Sequence, residues 1–524
     1  MNARFPRADR VLIPILLFCL GLAARLPNWG WSGLWLDECI TAYRVVDLHT
    51  VFTLNDGSPW FYPFVVWLST TLLGSSDTAL RLPSLLAGAA LGPAIYLVVR
   101  QRCPISVALF PALLGVFNSY SLHYSQEARV YSFGMFLAVL WFGALFALLD
   151  PADDKPPSRG LVTSFIALSP MLALCHHYCL FVGASGAIVA AIRLAGDPDL
   201  RARVLKPILA AYGLTVLLWL PSMLMFTLST AQQVGSAQPN PYAPHLSYDV
   251  AVQHLLGTVL SPYRFSDWMT TAGFVMGAAV LCLALGLPGR RREWYFGMEY
   301  LLCLGFVVAA NAVVPNFVSG RYETVFLGIA LATLGLAVSL VANRFLRIGL
   351  MVVLLGGQLY ACNTYWQVSV PKSSSLEVAQ FIAANKPDLV VATLPRGFDP
   401  IYLMPMTYYL HKEYRLDLPI MEIPRFQMVP DGFIPPTDYY LLYHELLAVP
   451  PAEVLQKLKA TLDSRGTVAI IGQDAELNAL VPVLQDYTIR TSSVFGAFNE
   501  GLTRVLILDT QRPRDEGAES EDSK

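Results

Sequence analysis

Long apolar runs separated by short polar turns dominate the first 366 residues of the chain. A run of about 20 apolar residues is long enough to cross the hydrocarbon core of a bilayer as a helix. The pattern predicts about eleven such spans, two of them folded as a hairpin within one long apolar stretch. Their expected positions are 11–27, 82–99, 105–121, 131–149, two within 161–192, 207–227, 270–287, 296–314, 324–341 and 348–363.

The apolar run at 60–73 is shorter than the others and begins with aromatic residues. If it crossed the membrane, the basic turn Arg100-Gln101-Arg102 would lie outside, whereas lysine and arginine accumulate in cytoplasmic loops. We therefore predict that 60–73 forms a helix in the membrane interface, within the first outer loop.

The apolar stretch at 161–192 is too long for one span, and His176-His177-Tyr178 interrupts it at its middle. A hairpin with this triplet at its outer tip keeps the next basic loop, 193–206, on the inner side of the membrane. A single long helix would place that basic loop outside. The hairpin is therefore the favoured prediction.

After residue 366 the composition changes to that of a soluble domain, in which strand and helix patterns alternate. Such alternation is typical of an α/β domain, and the count of spans places this domain outside. Strands are predicted at 389–393, 439–443, 468–471 and 505–508, and helices at 451–462 and 474–484. The predicted domains are a transmembrane domain at 1–366, a soluble periplasmic α/β domain at 367–511 and a charged, disordered tail at 512–524.

Composition agrees with a polytopic α-helical membrane protein. The chain is 55% hydrophobic and 14% charged, against about 25% charged residues in soluble domains. The net charge of −2 gives no indication of nucleic acid as a partner. The first apolar run follows Arg4, Arg7 and Arg10 and resembles a signal peptide, but we favour an uncleaved anchor because many more spans follow. Nearly all eight cysteines fall in or beside apolar runs, which implies neither a disulfide framework nor a metal cluster.

Ionisable residues gather at the outer ends of the predicted spans, while the basic loops gather on the other face. A charged group near the bilayer is costly and usually faces a cavity or a partner. One interpretation is that these residues are interface anchors, paired with lipid headgroups or with each other. Their common location favours a functional site instead. The residues are Asp37, Glu38, Arg81, Glu127, Arg129, His176, His177 and Arg321.

Group transfer from a lipid phosphate is a chemistry that needs this set. Arginines hold an anionic phosphate through charge-assisted hydrogen bonds, and a carboxylate takes the proton from an attacking hydroxyl. Asp37 is the better candidate for the base, with Glu38 as its supporting or metal-binding neighbour. A divalent metal between carboxylates and imidazoles stays open, since no ligand spacing here is diagnostic.

Structural alternatives stay open for the individual residues. Asp37-Glu38 is also compatible with an acidic pair at a helix N-terminus, although we favour the functional site. Glu127 and Arg129 are compatible with a local ion pair, and His177 with a histidine whose ring is satisfied within the hairpin.

Two motifs resemble the mannosyltransferase-like domain of the membrane glycosyltransferases with the C-type fold. They are Ala79-Leu80-Arg81-Leu82-Pro83-Ser84 and Tyr124-Ser125-Gln126-Glu127-Ala128-Arg129-Val130-Tyr131, accompanied by Asp37-Glu38, His177-Tyr178 and Arg321-Tyr322. The specific part of the resemblance covers about residues 35–180. Relatives in this family include the protein O-mannosyltransferases and the bacterial transferase that puts aminoarabinose on lipid A.

The resemblance implies an inverting transfer from a polyprenyl-phosphate sugar at an extracytoplasmic active site. It assigns activation of the acceptor to Asp37, and binding of the donor phosphate to Arg81, Arg129 and Arg321 with the neighbouring Tyr322. It also agrees with an interfacial helix at 60–73. Further site candidates within the matching motifs are Glu127, Tyr131, His177 and Tyr178.

The chain departs from the family just before the interfacial helix. Many relatives have His-Pro-Pro or a glutamate-containing equivalent there, whereas this chain has Asp56-Gly57-Ser58-Pro59-Trp60. Asp56 is the candidate substitute for that histidine or glutamate.

The sequence therefore predicts a multi-pass inner-membrane glycosyltransferase that uses a polyprenyl-phosphate-linked sugar as donor. The expected acceptor is a hydroxyl of a periplasmic glycan, lipid A or its core sugars, another lipid, or a protein. A polytopic transporter or lipid flippase is the alternative, and it predicts charged residues buried at mid-span. A third hypothesis is a non-catalytic glycan-binding scaffold led by the C-terminal domain.

Overall fold

The computed structural model describes residues 7–53, 58–101, 103–151, 156–234, 294–313, 321–367, 373–393, 403–416, 418–423, 427–428, 451–497 and 501–513. The chain divides into two compact units. The first, here the membrane unit, comprises Met1–Trp29, Arg44–Thr230 and Ala243–Val368. The second, here the C-terminal unit, comprises Ser369–Lys524 together with Gly30–Tyr43 and Ala231–Tyr242.

All the regular secondary structure described in the membrane unit is helical. It begins with α1 (Arg7–Arg25) and resumes after the segment that carries α2 (Leu36–Arg44). The helices that follow are α3 (Leu48–Thr53), α4 (Phe61–Leu73), α5 (Asp77–Arg100), α6 (Ile105–Phe117), α7 (Ser119–Ser125), α8 (Tyr131–Leu149), α9 (Arg159–Ala173), α10 (Cys179–Ala195), α11 (Pro198–Val234), α12 (Trp294–Val313), a 3₁₀ helix (Tyr322–Phe326), α13 (Leu327–Ser339) and α14 (Arg344–Gln367).

Five helical segments in the described part of the chain are long and apolar enough to cross a membrane. They are Asp77–Arg100, Tyr131–Leu149, Pro198–Leu224, Tyr322–Ser339 and Arg344–Gln367, and α6 with α7 makes a sixth if this bent pair is one span. Shorter apolar helices occur at Phe61–Leu73, Arg159–Ala173, Cys179–Ala195 and Gly297–Ala310. The span expected at 270–287 lies outside the described residues, so the count of about eleven stays a prediction.

The two irregular apolar stretches form the predicted helices. α4 has 13 residues, and its length of about 20 Å is less than the bilayer core, as expected of an interfacial helix. The stretch 161–192 forms two helices, α9 and α10, with His176-His177-Tyr178 between them. The structure therefore has a helix in each predicted place, while the assignment of α9 and α10 as membrane spans stays a prediction.

The span predicted at 105–121 is broken rather than straight. α6 and α7 meet at an angle of 51°. The side chain of Asn118 accepts a hydrogen bond from Ser121 N–H at 3.0 Å, and so caps α7 as a new helix.

Small residues let the helices of the membrane unit pack closely around α5. A Cβ at Gly21 of α1 would lie 2.6 Å from the carbonyl oxygen of Ala89. A Cβ at Gly92 of α5 would lie 2.6 Å from Val116 Cγ2 of α6. Close approach through glycine is the usual way in which helices associate within a bilayer.

The C-terminal unit contains the predicted α/β domain. Its strands are β1 (Leu389–Thr393), β2 (Ile420–Ile423), β3 (Gln427–Met428), β4 (Thr467–Gly472), β5 (Tyr487–Ala497) and β6 (Gly501–Pro513), in the sheet order β3-β2-β1-β4-β6-β5. β1 pairs in parallel with β2 and β4, and the remaining pairs are antiparallel. The helices are α15 (Ser375–Asn385), α16 (Leu403–Lys412), α17 (Pro451–Asp463) and α18 (Asp474–Leu484).

The core of this domain lies between the sheet and the helices α17 and α18. Val391, Val468 and Ile470 of the central strands pack with Leu458 of α17 and Leu480 of α18. Strands buried on both faces are continuous apolar runs, which is why β1 and β4 could be predicted. The strand predicted at 439–443 lies outside the described residues. β6 extends to Pro513, so the first two residues of the tail predicted to be disordered belong to a strand instead.

Candidate active site

The acidic pair Asp37-Glu38 lies in the first turn of α2, within the C-terminal unit. Acidic side chains are stabilised at a helix N-terminus by its partial positive charge. The pair is therefore a helix N-terminal acidic pair, as the structural alternative expected. The two side chains nevertheless differ, because Glu38 is fully buried whereas Asp37 is half-buried.

Glu38 caps the helix that carries it. Its Oε2 accepts a hydrogen bond from the backbone N–H of Trp35 at 3.4 Å. Trp35 precedes α2 and Glu38 is the third residue of the helix, so this contact is one half of a capping box. Glu38 thus stabilises the start of α2, and Asp37 carries the more accessible carboxylate.

The arginines and aromatic rings of the predicted site belong to the membrane unit, where Ser84 connects two of the segments that carry them. Ser84 Oγ donates to the carbonyl oxygen of Arg129 at 2.8 Å, and it lies 2.7 Å from the hydroxyl of Tyr62. Arg81 precedes Ser84 by three residues, which places both on the same face of α5. α5 therefore brings Arg81 towards the segment that contains Arg129, and Tyr62 of α4 joins the same contact.

Glu127 pairs with a histidine. Its Oε1 lies 2.9 Å from His123 Nε2, and both side chains are buried. His123 is on α7, four residues earlier in the chain. A buried pair of this kind fixes the segment that leads to Arg129. Glu127 therefore has His123 as a partner, and the alternative of a local ion pair between Glu127 and Arg129 stays a prediction.

Aromatic rings from three distant segments meet in one cluster, which we call the aromatic cluster. Its members are Tyr131, His176, Tyr178 and Tyr322. Tyr322 has its ring centroid 6.0 Å from Tyr131, 5.2 Å from His176 and 5.2 Å from Tyr178. The guanidinium carbon of Arg321 lies 5.2 Å from the centroid of the Tyr322 ring, within range of a cation–π contact.

The aromatic cluster joins most of the site residues predicted from the late and middle segments. It contains Tyr131, Tyr178 and Tyr322, and Arg321 adjoins it. Burial, with a further contribution from Glu323, raises the pKa of the Tyr178 phenol, so its hydroxyl keeps its proton at neutral pH. The histidine in the cluster is His176, whereas the sequence prediction had favoured His177, which is only half-buried.

Two residues that the sequence analysis did not single out hold the same region together. Arg25, at the end of α1, is fully buried and donates to Val116 O at 3.1 Å and to Ser121 Oγ at 2.7 Å. Gln126 Oε1 accepts from the Tyr365 hydroxyl at 2.7 Å, and Gln126 Nε2 donates to the carbonyl of Arg25 at 2.8 Å. An arginine inside an apolar run was the available signal for Arg25.

A metal site would need several His, Cys, Asp or Glu side chains close together. Across the described ranges, no group of three or more His, Cys, Asp or Glu side chains is placed to hold a metal ion. Asp56, the candidate substitute for the family's histidine or glutamate, lies outside the described residues.

Comparisons with known proteins identify the fold. No family model matches the sequence, and no curated protein matches it. ArnT from Cupriavidus metallidurans in the apo state matches with a TM-score of 0.57 and 12% identity, over 95% of this chain and 97% of that chain. ArnT bound to undecaprenyl phosphate matches with a TM-score of 0.54 and 13% identity, over the same shares, 95% and 97%.

The Archaeoglobus fulgidus oligosaccharyltransferase in the apo form also matches, with a TM-score of 0.54 and 12% identity, over 95% of this chain and 75% of that chain. These likenesses extend over almost the whole of the present chain, including its C-terminal sheet domain. The chain is a polytopic membrane protein with the C-type glycosyltransferase fold that ArnT and this oligosaccharyltransferase share.

Proposed function

We propose that the protein is a membrane glycosyltransferase that moves a sugar from a polyprenyl-phosphate-linked donor to a hydroxyl acceptor. The observation that carries this proposal is the arrangement of arginine-bearing segments in the membrane unit. The Ser84 bond to the Arg129 carbonyl links α5 to the segment before α8, and the contact of Tyr131 with Tyr322 links that segment to Arg321. The fold is one in which ArnT binds undecaprenyl phosphate.

In the proposed reaction, the arginines bind the donor phosphate. Arg81, Arg129 and Arg321 supply guanidinium groups, which match a phosphate in geometry and charge. They stabilise the negative charge that develops on the phosphate as the sugar leaves it. Tyr322 holds Arg321 over its ring, and Tyr131 and Tyr178 offer an aromatic surface beside it.

Asp37 acts as the base towards the acceptor. Its carboxylate takes the proton of the acceptor hydroxyl as that oxygen forms a bond to the anomeric carbon of the sugar. The bond from the anomeric carbon to the phosphate oxygen breaks, and its electron pair leaves with the lipid phosphate. A single displacement of this kind inverts the anomeric configuration. Glu38 supports the reaction by holding the start of α2.

The proposed location is the bacterial inner membrane, with the reaction on the periplasmic side. The basic loops 193–206 and 344–347 mark the cytoplasmic face under the positive-inside rule. The acceptor classes are a cell-envelope glycan, lipid A or its core, another lipid, or a protein. The donor is a lipid-linked sugar, and one product is the released lipid phosphate. Both are membrane lipids that the protein must contact.

A transporter or flippase is the second candidate, and Glu299 is the observation that favours it. This glutamate lies in the apolar helix α12, is fully buried, and neither carboxylate oxygen has a hydrogen-bond partner among the described residues. Ionisable groups within spans often mark a transport path. The candidate differs from the transferase in leaving every glycoconjugate chemically unchanged.

Mass spectrometry of the glycolipids and cell-surface glycans of cells with and without the gene tests the proposal. We expect one glycoconjugate to lose the mass of a sugar in cells without the gene. We expect Asp37→Asn to lower the amount of the sugar-modified form by at least about 100-fold. Asp47→Asn is the matched control. Asp47 is exposed three residues after the end of α2, and its Oδ1 accepts from Thr50 N–H, as an asparagine oxygen also can.

The amount of inserted protein must be equal in the wild type and both variants. Full transfer by Asp37→Asn would overturn the mechanism. An unchanged set of glycoconjugates in the deletion strain would favour the transporter.

A further inference from the structure

The residues just before the acidic pair are fastened to the α/β domain. Leu34 is fully buried, and its backbone makes two hydrogen bonds to side chains that lie more than 300 positions later in the chain. Leu34 N–H donates to the hydroxyl oxygen of Tyr409 at 2.7 Å. Ser375 Oγ donates to the carbonyl oxygen of Leu34 at 3.0 Å. Both polar groups of one peptide residue are therefore held by the α/β domain.

The neighbouring Gly33 shows how closely the two backbones approach. A Cβ at Gly33 would lie 3.1 Å from Leu376 Cβ, 3.2 Å from Leu376 N and 3.3 Å from Ser375 Oγ. The atoms in the way include backbone and Cβ of α15, which cannot rotate aside. The segment 33–34 thus lies directly against the first turn of α15.

The two side chains that hold Leu34 are themselves fixed. Tyr409 is 1% exposed, in α16, and α16 packs against α15. Ser375 Oγ lies 2.7 Å from Ser373 Oγ, which also accepts from Ser375 N–H at 3.2 Å. Rigid partners of this kind transmit position to Leu34 rather than following its motion.

The fastened residue is close to the proposed base in both sequence and structure. Leu34 is followed by Trp35, whose N–H is capped by Glu38, and Asp37 is the second residue of the helix that begins there. Leu34 lies two residues before α2, which begins at Leu36. Holding the backbone at Leu34 therefore limits the movement of the start of α2, where Asp37 lies.

We propose that Tyr409 and Ser375 are positioning residues for Asp37, so that the α/β domain is a working part of the transferase. The assignment of a catalytic consequence rests on the proposed function. The domain orients the general base through two hydrogen bonds to the backbone of Leu34, three residues before Asp37. Small displacements of a catalytic group are costly, because a reacting group must lie within about 0.5 Å of its productive position.

Hydrogen exchange of the full-length protein in detergent, read by mass spectrometry, tests the two hydrogen bonds to Leu34 without any substrate. Tyr409→Phe removes the acceptor of the Leu34 N–H, and Ser375→Ala independently removes the donor to its carbonyl. We expect either variant to speed exchange in peptides covering 30–43 by about tenfold, with peptides from α15 and α16 unchanged.

Tyr408→Phe is the matched control. Tyr408 is the adjacent tyrosine on α16, and its hydroxyl accepts from Lys412 Nζ rather than from Leu34. This variant should leave exchange at 30–43 at the wild-type rate. Unchanged exchange in both test variants, or faster exchange spread over α15 and α16, would overturn the proposal.

The catalytic consequence has its own measurement, on the glycoconjugate identified by comparing the deletion strain with the wild type. A misplaced base slows chemistry without weakening donor binding, so Tyr409→Phe and Ser375→Ala should lower kcat by about tenfold or more and leave KM for the donor unchanged. Wild-type kcat in both variants would overturn the positioning role. Activity retained by Asp37→Asn would instead contradict the proposed function. The exchange result would still decide whether the hydrogen bonds from Tyr409 and Ser375 hold the segment at Leu34.

Discussion

Two adjacent carboxylates in the first turn of α2 have different surroundings. Glu38 is buried and accepts a hydrogen bond from Trp35 N–H, whereas Asp37 is half-buried. The sequence already favours Asp37 as the base, with Glu38 as its supporting neighbour. The burial of Glu38 and its hydrogen bond to Trp35 N–H support our proposal that Glu38 has the structural part and Asp37 the chemical part.

A substitution at Glu38 tests this division. Glu38→Gln keeps a side-chain oxygen that accepts from Trp35 N–H, and glutamine serves in capping boxes as glutamate does. We therefore expect Glu38→Gln to retain transfer within about threefold of wild type, whereas Asp37→Asn does not. Glu38→Ala loses the cap and should destabilise the start of α2 by about 1 kcal/mol. The measurement is the yield of the transferred glycoconjugate per inserted protein, and a Glu38→Gln variant as inactive as Asp37→Asn would return a catalytic role to Glu38.

The chemistry-bearing residues were predictable from their types, but their partners were not. Tyr131, Tyr178 and Tyr322 were named from sequence, and the structure brings their rings together. The ring of His176 lies beside Tyr178 and Tyr322, a contact that residue type alone does not predict. Adjacent residues of the same type differ only in direction, and direction depends on packing.

The side chain of Ser84 connects α4, α5 and the segment before α8. Its hydroxyl donates to the Arg129 carbonyl and meets the Tyr62 hydroxyl, so one atom joins three elements. Ser84 is fully buried, and removing its hydroxyl removes the hydrogen bond to the Arg129 carbonyl and the contact with the Tyr62 hydroxyl. The segment of Arg129 should then lose its fixed position.

Ser84→Ala should therefore weaken binding of the proposed polyprenyl-phosphate ligand by about tenfold, since a lost hydrogen bond costs about 0.5–1.5 kcal/mol. Binding is measured by the thermal stabilisation of the purified protein on addition of undecaprenyl phosphate. Ser69→Ala is the control, since Ser69 Oγ makes a comparable bond from α4 to the carbonyl of Ala79 on α5, away from Arg129. Equal losses in the two variants would show that helix packing, rather than the Arg129 segment, is responsible.

Long apolar helices, helices with an apolar face and buried apolar strands were the predictable elements. The spans at 131–149 and the helix at 474–484 have the predicted bounds in α8 and α18. β5 was missed because it is a polar strand at the edge of the sheet, paired on one side only with β6. The break between α6 and α7 was missed because it depends on one capping side chain, Asn118, within an otherwise continuous pattern.

The distribution of charge along the whole chain predicts its orientation in the membrane. Arginines and lysines cluster at 193–206, from the end of α10 to the start of α11, and at 344–347, in the first turn of α14. The positive-inside rule assigns such clusters to the cytoplasm. The predicted odd number of spans between a cytoplasmic N-terminus and residue 367 would place the α/β domain outside, and this location stays a prediction. The fold restricts the chain to few topologies, but it does not by itself choose between the two orientations. That choice depends on loop charge, which a sequence displays directly.

Cysteine labelling in intact cells tests the orientation. Ser464→Cys places a thiol on an exposed turn of the α/β domain, and Ala202→Cys places one at an exposed position between Arg201 and Arg203. We expect a membrane-impermeant maleimide to label Ser464→Cys in intact cells and Ala202→Cys only after the inner membrane is opened. The parent protein, with its native cysteines, sets the background. The reverse pattern would place the α/β domain and the basic loops on the opposite sides, and would remove the periplasmic location from the proposed reaction.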